Sequence, residues 1–185
     1  MEAFHNNPSI KEKYLTRLNK HYQADEIIQG QYWENGKGCA VGCTIHSDNH
    51  QDYESKLGIP KSIALLQDTI FENLPNELAK EFPLEFLSAI KVGADLKNVR
   101  KLFIIWQLTN EKYGVLQYTN DKKVIQDIAD ALVQDMVTPV SVEEWKELRK
   151  NVYAAADFAG ISKKSKSEYH IAASKKLIEL LKNAN

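Results

Sequence analysis

The sequence predicts a compact all-α domain of about seven to nine helices, with a short irregular or β element around residues 31–46. Apolar residues recur at helical spacing along most of the 185-residue chain. Residue types that begin and end helices flank these periodic segments. The period-two alternation typical of a strand occurs in one place, from Cys39 to His46. We therefore expect a single globular helical domain over residues 1–185.

The first half of the chain predicts short helices separated by glycine and proline. Ser9 and Glu12 form a capping-box pattern, and Gly30 is a natural stop for the helix that follows it. Pro60 opens another helix, because proline is tolerated in a first helical turn. Pro75 and Pro83 divide the next segment into two short pieces. The expected helices span about residues 9–28, 48–57, 60–74 and 83–92.

The second half predicts longer helices. The segment from Asp95 to Tyr113 has an apolar centre, and Gly114 ends it. A cap at Thr119 or Asn120 begins an amphipathic helix, and Ser141 with Glu144 forms a second capping box. The expected helices span about residues 95–113, 119–137, 141–159 and 165–182.

Composition limits the classes of function. The 24 basic and 25 acidic residues leave a net charge of −1, which argues against non-specific binding to nucleic acid or to an acidic membrane. No apolar run approaches the ~20 residues of a membrane helix, and the N-terminus lacks the apolar core of a signal peptide. We expect a cytoplasmic protein with two free cysteines, whose partner is a small ligand or another protein.

The segment GKGCAVGCTIH, residues 36–46, holds both cysteines and is compatible with a metal site. In one continuous helix, Cys39, Cys43, His46 and His50 would share a face. Eleven residues of helix span about 16 Å, however, which is too far for four ligands of one ion. A break at residues 47–49 would allow a different set to converge: Cys43, His46, His50 and Glu54. A metal is not favoured, because the spacing is not that of paired CxxC ligands.

The same segment is compatible with a cysteine nucleophile. Either Cys39 or Cys43 would supply the thiolate, and Lys37 with the neighbouring glycine amides would lower the pKa of that thiol. Either His46 or His50 would then act as the base. The favoured interpretation is structural: Gly38, Gly42 and the cysteines are small residues that allow two backbones to approach closely.

The first helix carries two polar residues inside its apolar stripe. His21 and Asp25 are four residues apart, so we expect them to form a hydrogen-bonded pair. This pair would form one wall of a polar pocket, with Trp33 and Lys37 contributing from the following segment. A second pair, Asp68 and Glu72, is expected on a solvent-facing surface, since the apolar residues of its helix point the other way.

Two functional hypotheses follow from these observations. In the first, the protein binds or acts on a small ligand at a polar pocket formed by the first helix and residues 33–50. In the second, it is a non-enzymatic helical adaptor, whose buried cysteine, histidine and aspartate side chains are structural. Nucleotide-binding loops, nucleophile elbows and metalloprotease helices are absent from the sequence. Cofactor, reaction and oligomeric state therefore stay open.

Overall fold

The computed structural model describes residues 1–147 and 163–185, and it is an all-α structure with one short β element. The helices are α1 (Pro8–Gln23), α2 (Ala40–Ile45), α3 (Asp52–Leu57), α4 (Lys61–Phe71), α5 (Asn76–Ala89), α6 (Val99–Thr109), α7 (Lys122–Val137) and α8 (Lys163–Asn183). Strands β1 (Trp33–Glu34) and β2 (Lys37–Gly38) pair antiparallel. The predicted fold class is confirmed, with a short β element inside residues 31–46. The strand-like alternation from Cys39 to His46 instead forms helix α2, so the strand expected from that pattern is wrong.

The chain forms two compact units, residues 1–99 with 164–185 and residues 100–163. The first unit contains every candidate site residue. The second has its own apolar core, in which Ile125, Ile128 and Leu132 of α7 are buried. The prediction of one domain over residues 1–185 stays a prediction. Among the described residues, no helix has both the length and the apolar character needed to cross a membrane.

One predicted cap is found, two are displaced, and one helix does not follow its prolines. Asn7 caps α1 in place of Ser9, and Asp121 caps α7 in place of Thr119 or Asn120. The Ser141 hydroxyl and the Glu144 carboxylate form the predicted capping box. Of the predicted helix over 141–159, residues 142–147 are helical, and residues 148–159 lie outside the part of the chain that the structure describes. The predicted break at Pro83 is wrong, because α5 runs through that residue. Phe82, Pro83 and Phe86 are buried there, and their burial offsets the missing backbone hydrogen bond.

Helix α2 lies at the centre of the first unit. All six of its residues are buried, and it packs against α1, α3, α4 and α5. A Cβ atom on Gly42 would lie 1.6 Å from the carbonyl oxygen of Tyr32, and one on Gly38 would lie 2.1 Å from the same oxygen. Real Cβ atoms do not approach backbone so closely, so both positions require glycine. The prediction that small residues allow close backbone packing is confirmed.

Substitution Gly42→Ala is expected to destabilise the protein by about 1–3 kcal/mol or more, since the added methyl group meets backbone rather than a movable side chain. Urea denaturation followed by circular dichroism measures the loss. Gly38→Ala is expected to act in the same direction. An unfolding free energy for Gly42→Ala equal to that of the wild type would contradict the close packing.

Candidate functional site

Two groups of polar side chains lie around α2, and they have no member in common. The first, here called the histidine relay, consists of His21, Glu26 and His46, with Trp33 beside it. The second, here called the thiol–carboxylate cluster, consists of side chains whose sulfur, nitrogen or oxygen atoms can bind a metal ion. Its members are Cys39, His50, Asp68 and Glu72.

The histidine relay is a chain of two short contacts with the buried ring of His21 at its centre. The Nδ1 atom of His21, a buried residue of α1, lies 2.6 Å from Oε2 of Glu26. On the other side of the ring, its Nε2 atom lies 2.8 Å from Nε2 of His46. His46 is exposed and is the residue that follows α2. The relay therefore connects a carboxylate to an imidazole that is open to solvent.

The hydrogen positions in the relay follow from the chemistry of its ends. The Glu26 carboxylate only accepts, so Nδ1 of His21 carries a hydrogen. In neutral His21 the Nε2 atom is then an acceptor, and Nε2 of His46 must donate to it. The centroids of the two rings are 5.0 Å apart, so the rings lie nearly end to end and share one proton between them. Neutral His46 is left with a free lone pair on Nδ1.

The backbone and a neighbouring ring fix the position of His46. Its φ angle is +54°, in the left-handed region that favours glycine, and its backbone N–H donates to the carbonyl of Gly42. The ring stacks on Trp33, with centroids 4.3 Å apart and planes within 10° of parallel. A histidine therefore stands at a helix end where glycine is preferred, and its ring is held in one orientation.

The electrostatic surroundings of His46 favour its neutral form. Partial burial lowers the pKa of this imidazole, and the positive charge of Arg17 lowers it further. Neighbouring His21 and Lys56 act in the same direction, while Glu26 opposes them. The Arg17 guanidinium is held in place by a 2.9 Å hydrogen bond to the Thr44 carbonyl. At neutral pH, His46 is thus an unprotonated base.

Both cysteines are buried and protonated. The thiol of Cys43 donates to the carbonyl of Gly38 at 3.2 Å, and the sulfur of Cys39 accepts from the N–H of Gly42 at 3.5 Å. Burial raises the pKa of each thiol to about 12, against the smaller opposing effect of these hydrogen bonds. Neither thiol is a nucleophile in this state.

The thiol–carboxylate cluster joins α4 to the beginning of α2. One ligand atom from each of Cys39, Asp68 and Glu72 lies within 4.8 Å of the other two. The Nε2 atom of His50 lies 3.5 Å from Oδ2 of Asp68. The Asp68 side chain is 13% exposed, so the prediction that this residue faces solvent is wrong, whereas Glu72 is the exposed member of the cluster. Asp68 lies close to Cys39, the residue that caps the N-terminus of α2.

The predicted pairing of His21 with Asp25 is also wrong. Helix α1 ends at Gln23, so Asp25 no longer follows the helical spacing that placed it in the apolar stripe. Its side chain is 74% exposed and pairs with Lys80 at 2.6 Å. His21 takes Glu26 as its carboxylate partner instead.

The remaining candidate residues, Lys37 and Glu54, belong to neither group. Lys37 is exposed on β2, and the carboxylate of Glu54 accepts the backbone N–H of Lys61 at the start of α4. The alternative metal set is not brought together: its members bond to different partners. That set is Cys43, His46, His50 and Glu54.

Comparison with known proteins adds no identification. No protein family, curated protein or solved structure matches the chain.

Sequence reasoning missed Glu26 and placed Asp68 on a solvent-facing surface. Glu26 follows the end of α1 and reaches back to His21, which requires knowing where the helix ends. Asp68 is four residues from Glu72 on α4, and this spacing was the available signal. Only the packing of α4 against α2 brings Asp68 to Cys39.

We expect neither thiol to react with a disulfide reagent in native metal-free protein at pH 8. Both are buried, and a pKa of about 12 leaves almost no thiolate at that pH. Absorbance of the released thiol measures the reaction, and denatured protein gives the full count as the control. Rapid labelling of either cysteine in folded protein would contradict the burial.

Substitution His46→Gly is expected to give a more stable protein than His46→Ala, by about 1 kcal/mol, because alanine is strained at a positive φ. Both variants remove the same ring, so their difference isolates the backbone. Urea denaturation of the two proteins measures it. Equal stability of the two variants would show that residue 46 is not left-handed.

Proposed function

We propose that the protein acts on a small ligand at the histidine relay, with His46 as a general base. The observation that carries this proposal is the exposed residue His46, which lies at the outer end of a hydrogen-bonded chain leading to Glu26. The two buried thiols suit a reducing compartment, and we place the protein in the cytoplasm on that ground.

Two proton transfers along the relay move one proton from the ligand to the histidine pair. Nδ1 of His46 accepts a proton from the ligand, or from a water molecule that attacks it. The hydrogen on Nε2 of His46 then passes to Nε2 of His21 across the 2.8 Å contact. His21 becomes an imidazolium that donates to both neighbours, and the Glu26 carboxylate stabilises its charge. The ligand loses one proton, and the histidine pair gains one.

The surroundings favour a ligand that becomes negative as it loses its proton. Arg17 and Lys56 place positive charge close enough to His46 to lower its pKa. The same charges would stabilise a developing anion. Trp33 holds the imidazole from one face, so the orientation of the base needs no adjustment during the reaction.

The adaptor hypothesis keeps one supporting observation. A groove of about 870 Å³ lies between α5 and α8, and its lining is mainly apolar. Leu78, which lines the groove, is 42% exposed. If the relay proves inactive, this groove is the better candidate for the functional surface.

Hydrolysis of p-nitrophenyl acetate tests the relay, since an unprotonated imidazole accelerates it. We expect His46→Asn to reduce kcat/KM by about 100-fold, because general-base catalysis typically contributes that much. His21→Gln should reduce kcat/KM as well, by interrupting proton transfer. The wild-type rate should rise with pH and reach half its plateau below pH 6.5, since the pKa of His46 is lowered from 6.5.

The matched control is His5→Asn, which removes another exposed histidine whose Nε2 lies 3.1 Å from the Ser55 carbonyl. This variant should keep the wild-type rate. Equal rates for the wild type and His46→Asn would overturn the proposed function.

A further inference from the structure

We propose that Cys39, His50, Asp68 and Glu72 bind a divalent transition-metal ion of the zinc class. This site shares no residue with the histidine relay, and it does not depend on the proposed acid–base function. It is also different from the metal set that the sequence suggested, since it uses Cys39 in place of Cys43 and takes both carboxylates from α4 and its C-terminal end.

The distances suit a single ion. Zinc binds sulfur at ~2.3 Å and nitrogen or oxygen at ~2.0–2.2 Å, so two ligands of a tetrahedral ion are roughly 3.3–3.7 Å apart. The 3.5 Å from Nε2 of His50 to Oδ2 of Asp68 already has this value. The ligand atoms of Cys39, Asp68 and Glu72 lie within 4.8 Å of one another, and His50 joins them through its contact with Asp68, so binding one ion requires side-chain shifts of about 1 Å or more.

The cluster contains buried polar atoms that a metal would satisfy. Nε2 of His50 and Oδ1 of Asp68 are both buried, and neither has a hydrogen-bond partner among the described residues. Buried polar atoms are nearly always paired, so two such atoms on neighbouring side chains, joined only by the 3.5 Å contact between Nε2 of His50 and Oδ2 of Asp68, point to a missing ligand. The neighbouring backbone N–H of Gly30 donates to Oε2 of Glu72 at 2.8 Å, which orients that carboxylate.

The charges in the cluster also call for a cation. Two carboxylates and a thiol lie within 4.8 Å of one another, and each can carry a negative charge. A divalent ion between them would offset this charge and allow the thiol to bind as thiolate.

The donor set selects the class of metal. A thiolate and an imidazole favour zinc and similar ions over calcium and magnesium, which bind oxygen ligands. Four protein ligands would close a tetrahedral site, as in structural zinc centres. The bound ion would link the start of α2 to α4 and to the loop before α3.

Isothermal titration with Zn²⁺ tests the site in the full-length protein after treatment with a chelator. We expect one ion per chain. Cys39→Ser and Asp68→Asn should each weaken binding by at least about 100-fold, since each removes a direct ligand or its charge. The matched control is Cys43→Ser, because Cys43 is equally buried and outside the cluster. It should bind zinc as the wild type does.

Cobalt substitution gives a readout in the wild-type protein, which does not depend on whether the variants fold. Co²⁺ bound to the wild-type protein should show a thiolate-to-metal charge-transfer band, which Cys43→Ser retains. Absence of this band in the wild type overturns the proposal. The same holds if zinc binds equally to Cys39→Ser, or if His46→Asn removes binding. Equal esterase rates for the wild type and His46→Asn, with zinc still bound by both, would reject the proposed function and leave this site intact.

Discussion

The contact between two glycines and the backbone of Tyr32 determines the arrangement of the first unit. Gly38 and Gly42 present no side chain to the Tyr32 carbonyl, which approaches the positions that their Cβ atoms would occupy. The backbone N–H of Cys39 donates to the carbonyls of Gln31 and Tyr32 at 2.6 and 3.1 Å. The short helix α2 is therefore fixed against residues 31–33 by backbone contacts, and its buried surface is available to α1 and α4.

The two polar groups follow from this contact, because consecutive residues of the same segment meet different histidines. Trp33 stacks on His46, while the ring of Tyr32 meets the ring of His50 edge to face at 5.7 Å. His46 thereby reaches His21 of α1, and His50 reaches Asp68 of α4. One short helix separates a proton-transfer chain from a cluster of metal-ligand type. Each group includes a carboxylate that the other does not use.

Much of the fold could be predicted from the sequence, since helical periodicity and caps are local properties. The sequence also indicated that the first helix and residues 33–50 carry the polar residues of interest, and His21, Trp33 and His46 do meet there. The carboxylate partners could not be predicted. The contact of Glu26 with His21 depends on α1 ending at Gln23. The approach of Asp68 to Cys39 depends on the packing of α4 against α2. Uniform helical spacing placed Asp25 inward and Asp68 outward. The end of α1 at Gln23 reverses the first placement, and the packing of α4 against α2 reverses the second.

The central claim is that α2 and its flanking residues form two chemically separate groups. Long-range ¹H–¹⁵N correlation spectra of the histidine rings test it most directly, recorded before and after addition of one equivalent of Zn²⁺. We expect the ring nitrogens of His50 to shift, while those of His21 and His46 keep the pattern of a shared Nε2 proton. Zinc-induced shifts of His21 or His46, or an unchanged His50, would contradict the separation of the two groups.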